Sequence, residues 1–304
     1  TVIRMGVDLI QGYYTSKPKP LFLDKISSDV VDEIISTNLE NRSEGTKKIY
    51  NARNETELDL LKLALEKYTD ITVHQSKLTL VSDASKQVKM NILIPDNSSC
   101  ELTIKNINIL SGNNRPSIIL GEYSRLELNV LKKNKLSYSG IYVPQGSQLE
   151  IKGSGDLLID SFATVGIGIG NDFEHSYGDI FINMTGSLEI MSNNEDTVCI
   201  GGGYNTDDSE IKLISGYIKV DMHSKNGLAV GSFNGNSIIK MIDPCRLDIF
   251  MSGIKAVGVG SFFNSTDISL ESNIDISCSG AHAVGIGVLE KGTGDIAVSD
   301  SKIN

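Results

Sequence analysis

Tryptophan is absent and proline is scarce, six in 304 residues, while glycine is abundant at 29. Glycine without proline points to many tight turns rather than to a disordered linker. With no tryptophan, any platform for stacking a sugar ring must come from phenylalanine or tyrosine. Positive charge is also short: 28 Lys and Arg face 38 Asp and Glu, a formal charge of -10. That balance argues against a grip on a nucleic-acid backbone, which needs clustered cations, and disfavours an anionic membrane surface. No run approaches the ~20 apolar residues that span a bilayer, and no basic stretch followed by an apolar one opens the chain, so membrane insertion is not expected. The four cysteines, Cys100, Cys199, Cys245 and Cys278, form no CxxC pair. Each lies in or beside an apolar run, where a thiol acts as a small hydrophobe. A reduced, cytoplasmic setting is the expectation, and the first residue, Thr1, suggests a piece of something longer.

What is present is a repeat. Apolar-glycine turns recur as Gly166-Ile167-Gly168, Ile200-Gly201-Gly202, Val230-Gly231-Ser232, Gly258-Val259-Gly260 and Gly285-Ile286-Gly287. Counted from Gly168, the steps to Gly201, Gly231, Gly260 and Gly287 are 33, 30, 29 and 27 residues. Each turn is followed by two apolar-polar-apolar patches. The first series runs Ile180-Phe181-Ile182, Ile211-Lys212-Leu213, Ile238-Ile239-Lys240, Ile268-Ser269-Leu270 and Ile296-Ala297-Val298. The second runs Leu188-Glu189-Ile190, Ile218-Lys219-Val220, Leu247-Asp248-Ile249 and Ile274-Asp275-Ile276. Period-two alternation marks strands with one buried face, and three short strands in constant order predict a parallel β-helix, or solenoid. Leu102 to Ile104, Ile107 to Ile109, Leu126 to Leu128, Leu149 to Ile151 and Leu157 to Ile159 extend the pattern backwards less regularly.

The expected fold is all-β: about eight coils of roughly 30 residues, stacked to roughly 40 Å at the spacing of paired strands. Parallel crossovers are overwhelmingly right-handed, which predicts a right-handed solenoid. It is placed at residues 71–304, behind an N-terminal cap at 46–70. Asn54 and Glu57 have capping-box spacing, and Leu58, Leu61 and Leu65 suggest an amphipathic helix over 54–67. Residues 26–45 read as a helical connector, with Val30, Val31, Ile34, Ile35 and Leu39 on one stripe.

Residues 1–25 do not share the repeat. They contain Gly6-Val7-Asp8, Gln11-Gly12-Tyr13 and Ser16-Lys17-Pro18 in close succession. This pattern resembles the C-terminal end of EAL-type cyclic-di-GMP phosphodiesterase domains, whose last barrel strand carries similar sub-motifs. The resemblance covers residues 2–20, under a tenth of the chain. It implies for Gln11 a place near the metal-bound water and substrate phosphate of an intact parent, where an uncharged amide can orient a water. The Glu-Ala-Leu motif, the Asp-Asp-Phe-Gly segment and the earlier Asn, Glu and Lys groups of that family have no counterpart here. Two-metal hydrolysis needs those carboxylates. The expectation is therefore a chain that is not an enzyme by itself and holds no cofactor. Its divalent metal would sit in an upstream catalytic domain of a bacterial cyclic-di-GMP signalling protein. That domain is one expected partner; an unidentified protein, a glycan or a second copy of the chain is another.

Candidate sites within the repeat are few. Asp179, Glu210, Asp267 and Asp295 precede the first patch of successive coils. Stacked carboxylates would repel or hold a cation, although Asp also suits turns for its local hydrogen bonds. A polysaccharide lyase would need a cation site beside an Arg or Lys base, and Arg125 and Arg246 stand isolated in sequence. Phe173, Tyr177, Tyr204, Phe233, Phe262 and Phe263 cluster after the glycine turns. They could form a packing ladder or a ligand strip, for which Tyr204, Phe233, Phe262 and Phe263 are the candidates. His74, His175, His223 and His282 show no metal-ligand spacing.

Overall fold

The structure is a computed structural model that describes residues 48–112, 115–162, 166–206 and 208–304. The EAL-like segment with Gln11 and the connector at 26–45 lie outside the described residues.

From Ile49 onward the chain winds into a parallel β-solenoid with three sides. Eight complete three-sided turns run from Asp70 to Gly280, with a helix-bearing turn before them and a partial turn after. The first side stacks, among others, strands Ile49–Ala52, Asp70–Val73, Asn91–Ile94, Ile118–Leu120, Gly166–Gly170, Asp196–Asn205 and Asn226–Gly235. The second side holds Glu57–Asp59, Lys77–Val81, Ser99–Lys105, Arg125–Leu131 and Gln148–Gly153. The third holds Val88–Lys89, Asn108–Leu110, Lys133–Tyr138 and Asp156–Ser161. In later turns the corner between the second and third sides is gentle enough for one strand to span both, as in Asp179–Ser192 and Glu210–His223.

The alternation seen in sequence forms columns inside the stack. One column on the second side runs Leu78, Leu102, Leu128, Ile151, Ile182, Leu213, Met241 and Leu270, each in register with the next. All of these are at most 1% exposed. Full burial of such a side chain is worth about 1.5–3 kcal/mol, so the columns dominate the stability of the fold. Among the described residues, strands within the stack pair with the turns above and below, which leaves them no free edge.

A glycine row makes the close turn-to-turn contact on the first side. Gly170, Gly201, Gly231, Gly260 and Gly287 are in register. All five have φ between 125° and 139°. A Cβ on Gly201 would overlap the carbonyl oxygen of Gly231, and one on Gly231 that of Gly260. The row begins at Gly170, not at Gly168, so the first step is 31 residues rather than 33. The first-patch series shifts as well: Ile239-Lys240-Met241, not Ile238-Ile239-Lys240, aligns with Ile211-Lys212-Leu213.

Three expectations for the N-terminal end are corrected. The solenoid begins at Ile49 rather than Ile71. Its first turns are short: Ile49 pairs with Asp70 and Asp70 with Asn91, so each takes 21 residues rather than roughly 30. The helix expected over 54–67 is Leu60–Leu65. Its N-cap is Asp59, whose carboxylate accepts from the backbone N–H of Leu61 at 2.9 Å. Leu58 lies in a strand, Leu60 and Leu63 enter the core, and Leu65 is exposed. The helix occupies the place of the third strand in the first turn.

Candidate functional site

The strongest concentration of unusual features is at the C-terminal end of the stack. The column described above continues into Val298, paired with Leu270, yet Val298 is 50% exposed. In the neighbouring column Ile239 and Ile268 are at most 1% exposed and Ile296, the next member, is 45% exposed. On the third side Ile274 is buried, while Ile303, which bridges to it, is 43% exposed. These residues point into the core position of their turn and are uncovered because no turn follows them among the described residues. Strand Gly294–Val298 pairs with Thr266–Val288 on one edge and has no strand on the other among the described residues.

Beside this open end, on the outer face of the third side, lies a polar cluster. Tyr217, Arg246 and Asn273 form one outward row, and Glu189, Lys219, Asp248 and Asp275 another. The Arg246 Nε and Nη2 groups each donate to Asp248 at 3.0 Å. The Tyr217 hydroxyl donates to Asp248 Oδ2 at 2.8 Å, and the guanidinium sits 5.5 Å from the Tyr217 ring centroid. Asp248 keeps only 7% of its side chain exposed. Burial, and then the hydrogen bond to Asp248, push the Tyr217 hydroxyl pKa up. One turn below, Lys219 Nζ reaches Glu189 at 2.6 Å, which raises the lysine pKa. Arg246, Asp248, Asn273, Ile274, Asp275, Lys302 and Asn304 line a shallow hollow of about 300 Å³. The fixed donors and acceptors of this hollow suit a polar, hydroxylated ligand better than an apolar one.

The carboxylate row is interrupted. Asp179 is in register with Glu210, and Asp267 with Asp295, but Ile238 stands between the two pairs. Asp179 Oδ1 accepts from the Glu210 backbone N–H at 3.0 Å, and Lys240 reaches the Glu210 carboxylate at 2.7 Å. Asp267 and Asp295 line a second hollow of about 310 Å³ with Asn236, Ser265, Thr266 and Thr293. No group of three or more His, Cys, Asp or Glu that could hold a metal ion occurs among the described residues.

The aromatic candidates divide. Phe262 is fully buried, and its ring stacks on Phe233 at 4.3 Å and 17°. Phe233 also meets Phe173 at 6.2 Å and Phe263 at 5.9 Å. With Val198, Leu228, Val257 and Leu289 they form a second apolar cluster, separate from the solenoid core. Phe262 therefore presents no face to a ligand, and Phe233 and Phe263 present only part of one. Tyr204 is exposed and in register with Asn234 and Phe263 of the following turns.

The Tyr217, Arg246 and Asp248 cluster was not legible as a site in sequence, where Arg246 looked isolated. The signal was the repeat itself: the steps from Tyr217 to Arg246 and on to Asn273, 29 and 27 residues, match the turn length at that height. No helix among the described residues is long and apolar enough to cross a membrane. No family model, curated protein or solved structure matches the chain.

Proposed function

We propose that this chain is the non-catalytic C-terminal interaction module of a bacterial cyclic-di-GMP phosphodiesterase-type signalling protein. In this reading the solenoid docks a protein partner. The observation that carries it is the order of the chain, a β-solenoid from Ile49 onward following residues 2–20 and their EAL-like sub-motifs. The signalling context rests on the resemblance of residues 2–20 to the tail of an EAL-type domain. The test is to delete residues 46–304 from the parent protein. Hydrolysis of cyclic-di-GMP should persist while its regulation, localisation or assembly changes; a parent indifferent in all three respects would sink the reading.

A second reading, a carbohydrate-binding module, is favoured by the hollow around Arg246 and Asp248. Calorimetry against glycans, with and without Ca²⁺, separates the two. Binding that is lost in Arg246→Ala would establish the glycan reading, and a chain that ignores every glycan would favour the protein partner.

A further inference from the structure

Charge is spread unevenly over the stack. The corner between the second and third sides is made by residues 82–87 in the second turn, 105–107 in the third and 131–134 in the fourth. These stretches hold Lys86, Lys105, Lys132 and Lys133 against Asp83 alone, a local +3 in a chain of net charge -10. All four lysines are exposed, and none is in an ion pair among the described residues. Two of the corners are longer than their strands require. Lys105 to Asn108 takes three steps, whereas their register partners Leu131 to Lys135 take four; Lys132, at a φ of 64°, is the added residue. Val81 to Val88 takes seven steps, whereas Lys105 to Ile109 takes four. Residues without a place in the ladder stand out from the wall, and both enlargements carry a lysine. The 82–87 loop is held to the next turn, since the Ser82 N–H donates to the Lys105 carbonyl at 3.2 Å and Asn108 Nδ2 to the Ala84 carbonyl at 3.1 Å. Asp83 is turned onto Ser85, accepting from its N–H at 3.0 Å and its hydroxyl at 2.7 Å.

We propose that this lysine ridge is where the solenoid receives its protein partner, and that the partner presents an extended acidic segment. The inference rests on the reading of the chain as an interaction module, and it supplies the surface and the chemistry. Paired strands lie ~4.8 Å apart, so three turns span about 10 Å, the reach of three extended residues. Lysine suits such a face, being a point charge on a flexible stem that follows a moving carboxylate. The ridge is also narrow. Glu101, Glu127 and Glu150 stand in register on the second side, the first of them about 13 Å along the strand from Lys105. Asp156, in register with Lys133, and Asp160, paired with Lys135 at 2.9 Å, close the ridge above. A nucleic-acid duplex or an anionic membrane presents charge over a broad front and would meet these carboxylates. A single acidic strand laid along the corner does not. Charge complementarity of this kind favours encounter and is weakened by salt.

The test uses the full chain and a fluorescent oligoglutamate peptide, followed by anisotropy at low and high salt. The peptide should bind at low salt and be released at high salt. Lys105→Glu, Lys132→Glu and Lys133→Glu together should weaken it about tenfold or more, with an unchanged circular dichroism spectrum because the side chains are exposed. Lys105→Gln with Lys133→Gln, which adds no negative charge, should give a smaller loss in the same direction. Lys212→Glu, Lys225→Glu and Lys291→Glu together change the net charge equally on other parts of the surface and should leave the affinity within about twofold. The proposal is overturned by a chain that ignores the peptide at low salt, or by equal losses in the two charge-reversed variants. It is equally overturned by a DNA duplex that binds the ridge more tightly than the peptide. In the parent protein, a ridge variant that behaves as wild type while deletion of residues 46–304 alters regulation, localisation or assembly would overturn the ridge and leave the module standing. A parent indifferent to the deletion, with the peptide still held at the ridge, would overturn the module and not the ridge.

Discussion

At the scale of single residues, the same amino acid does unequal service in this fold. Gly201 holds a φ of 125°, and a Cβ there would run into the backbone of Gly231. Gly285, on the same side of the stack, has ordinary φ, and the nearest atom to its Cβ position would be Ile276 Cγ2 at 3.9 Å. Gly201→Ala should therefore cost about 3 kcal/mol or more, combining a left-handed backbone strained for alanine with a clash that the stacked turn above cannot relieve. Gly285→Ala should fall within about 1 kcal/mol of the wild type, because it meets open space and gains from a stiffer unfolded chain. Urea unfolding of the two variants measures the contrast. Equal losses would mean that the glycine row is not what sets the distance between turns. Asp248 shows the same dependence on place: Arg246, two residues before it, and Tyr217, one turn below, together satisfy it.

At the scale of elements, the first turn is held by a small polar knot rather than by the expected capping box. Glu55 accepts from the Tyr50 hydroxyl at 2.6 Å and from the backbone N–H groups of Arg53 and Asn54 at 2.8 and 3.0 Å. The Tyr50 hydroxyl bond first, and the backbone donors with it, lower the Glu55 pKa from 4.5 to about 2. The same bond, with burial, raises Tyr50 from 10.0 to about 12. A carboxylate with a depressed pKa stabilises the fold fully above its ordinary value and loses that contribution as the pH falls towards the depressed one. Tyr50 contributes fully below its ordinary value and loses its contribution as the pH climbs towards the raised one. The knot should therefore loosen between pH 4.5 and about 2, and again between 10.0 and about 12. The knot is near the surface, so the effect is local and worth about 1 kcal/mol or less. Amide protection across Ile49 to Leu58, corrected for intrinsic exchange, should drop on acidification in the wild type and change much less in Glu55→Gln; parallel profiles would rule the knot out. This turn is also where the sequence was least legible. Its strands are three or four residues long, too short for a period of two to stand out. Leu58, Leu61 and Leu65 imitate a helical stripe although the buried set is Leu58, Leu60 and Leu63. From Leu149 onward the strands are long enough, and the turns similar enough, for both apolar patches and their order to be read directly. What could not be read was the outer face, because Tyr217 reaches Asp248 across the register of two turns and no local pattern marks register.

At the scale of the whole molecule, a solenoid touches only itself one turn up and one turn down, so its stability is a sum of neighbour contacts and its ends are the weak points. Among the described residues the last turn has one neighbour and exposed core residues, while the first carries a helix with its apolar face inward. Opening should begin where burial is least, on the turn that carries Cys278. The four cysteines report on this because they stand at different heights: Cys100 in the third turn, Cys199 in the seventh, Cys245 at a corner of the eighth and Cys278 in the ninth. All are free thiols, three of them buried and Cys278 partly so. Burial pushes Cys100 up to about 11 and Cys245 to about 12 and raises Cys199 and Cys278 as well. The reactive thiolate is therefore scarce until a turn opens. In urea below the main transition, alkylation read by mass spectrometry should reach Cys278 first, then Cys245, then Cys199, with Cys100 last. Simultaneous labelling of all four would mean that the stack opens as one unit, and labelling that starts at Cys100 would place the weak end at the helix instead.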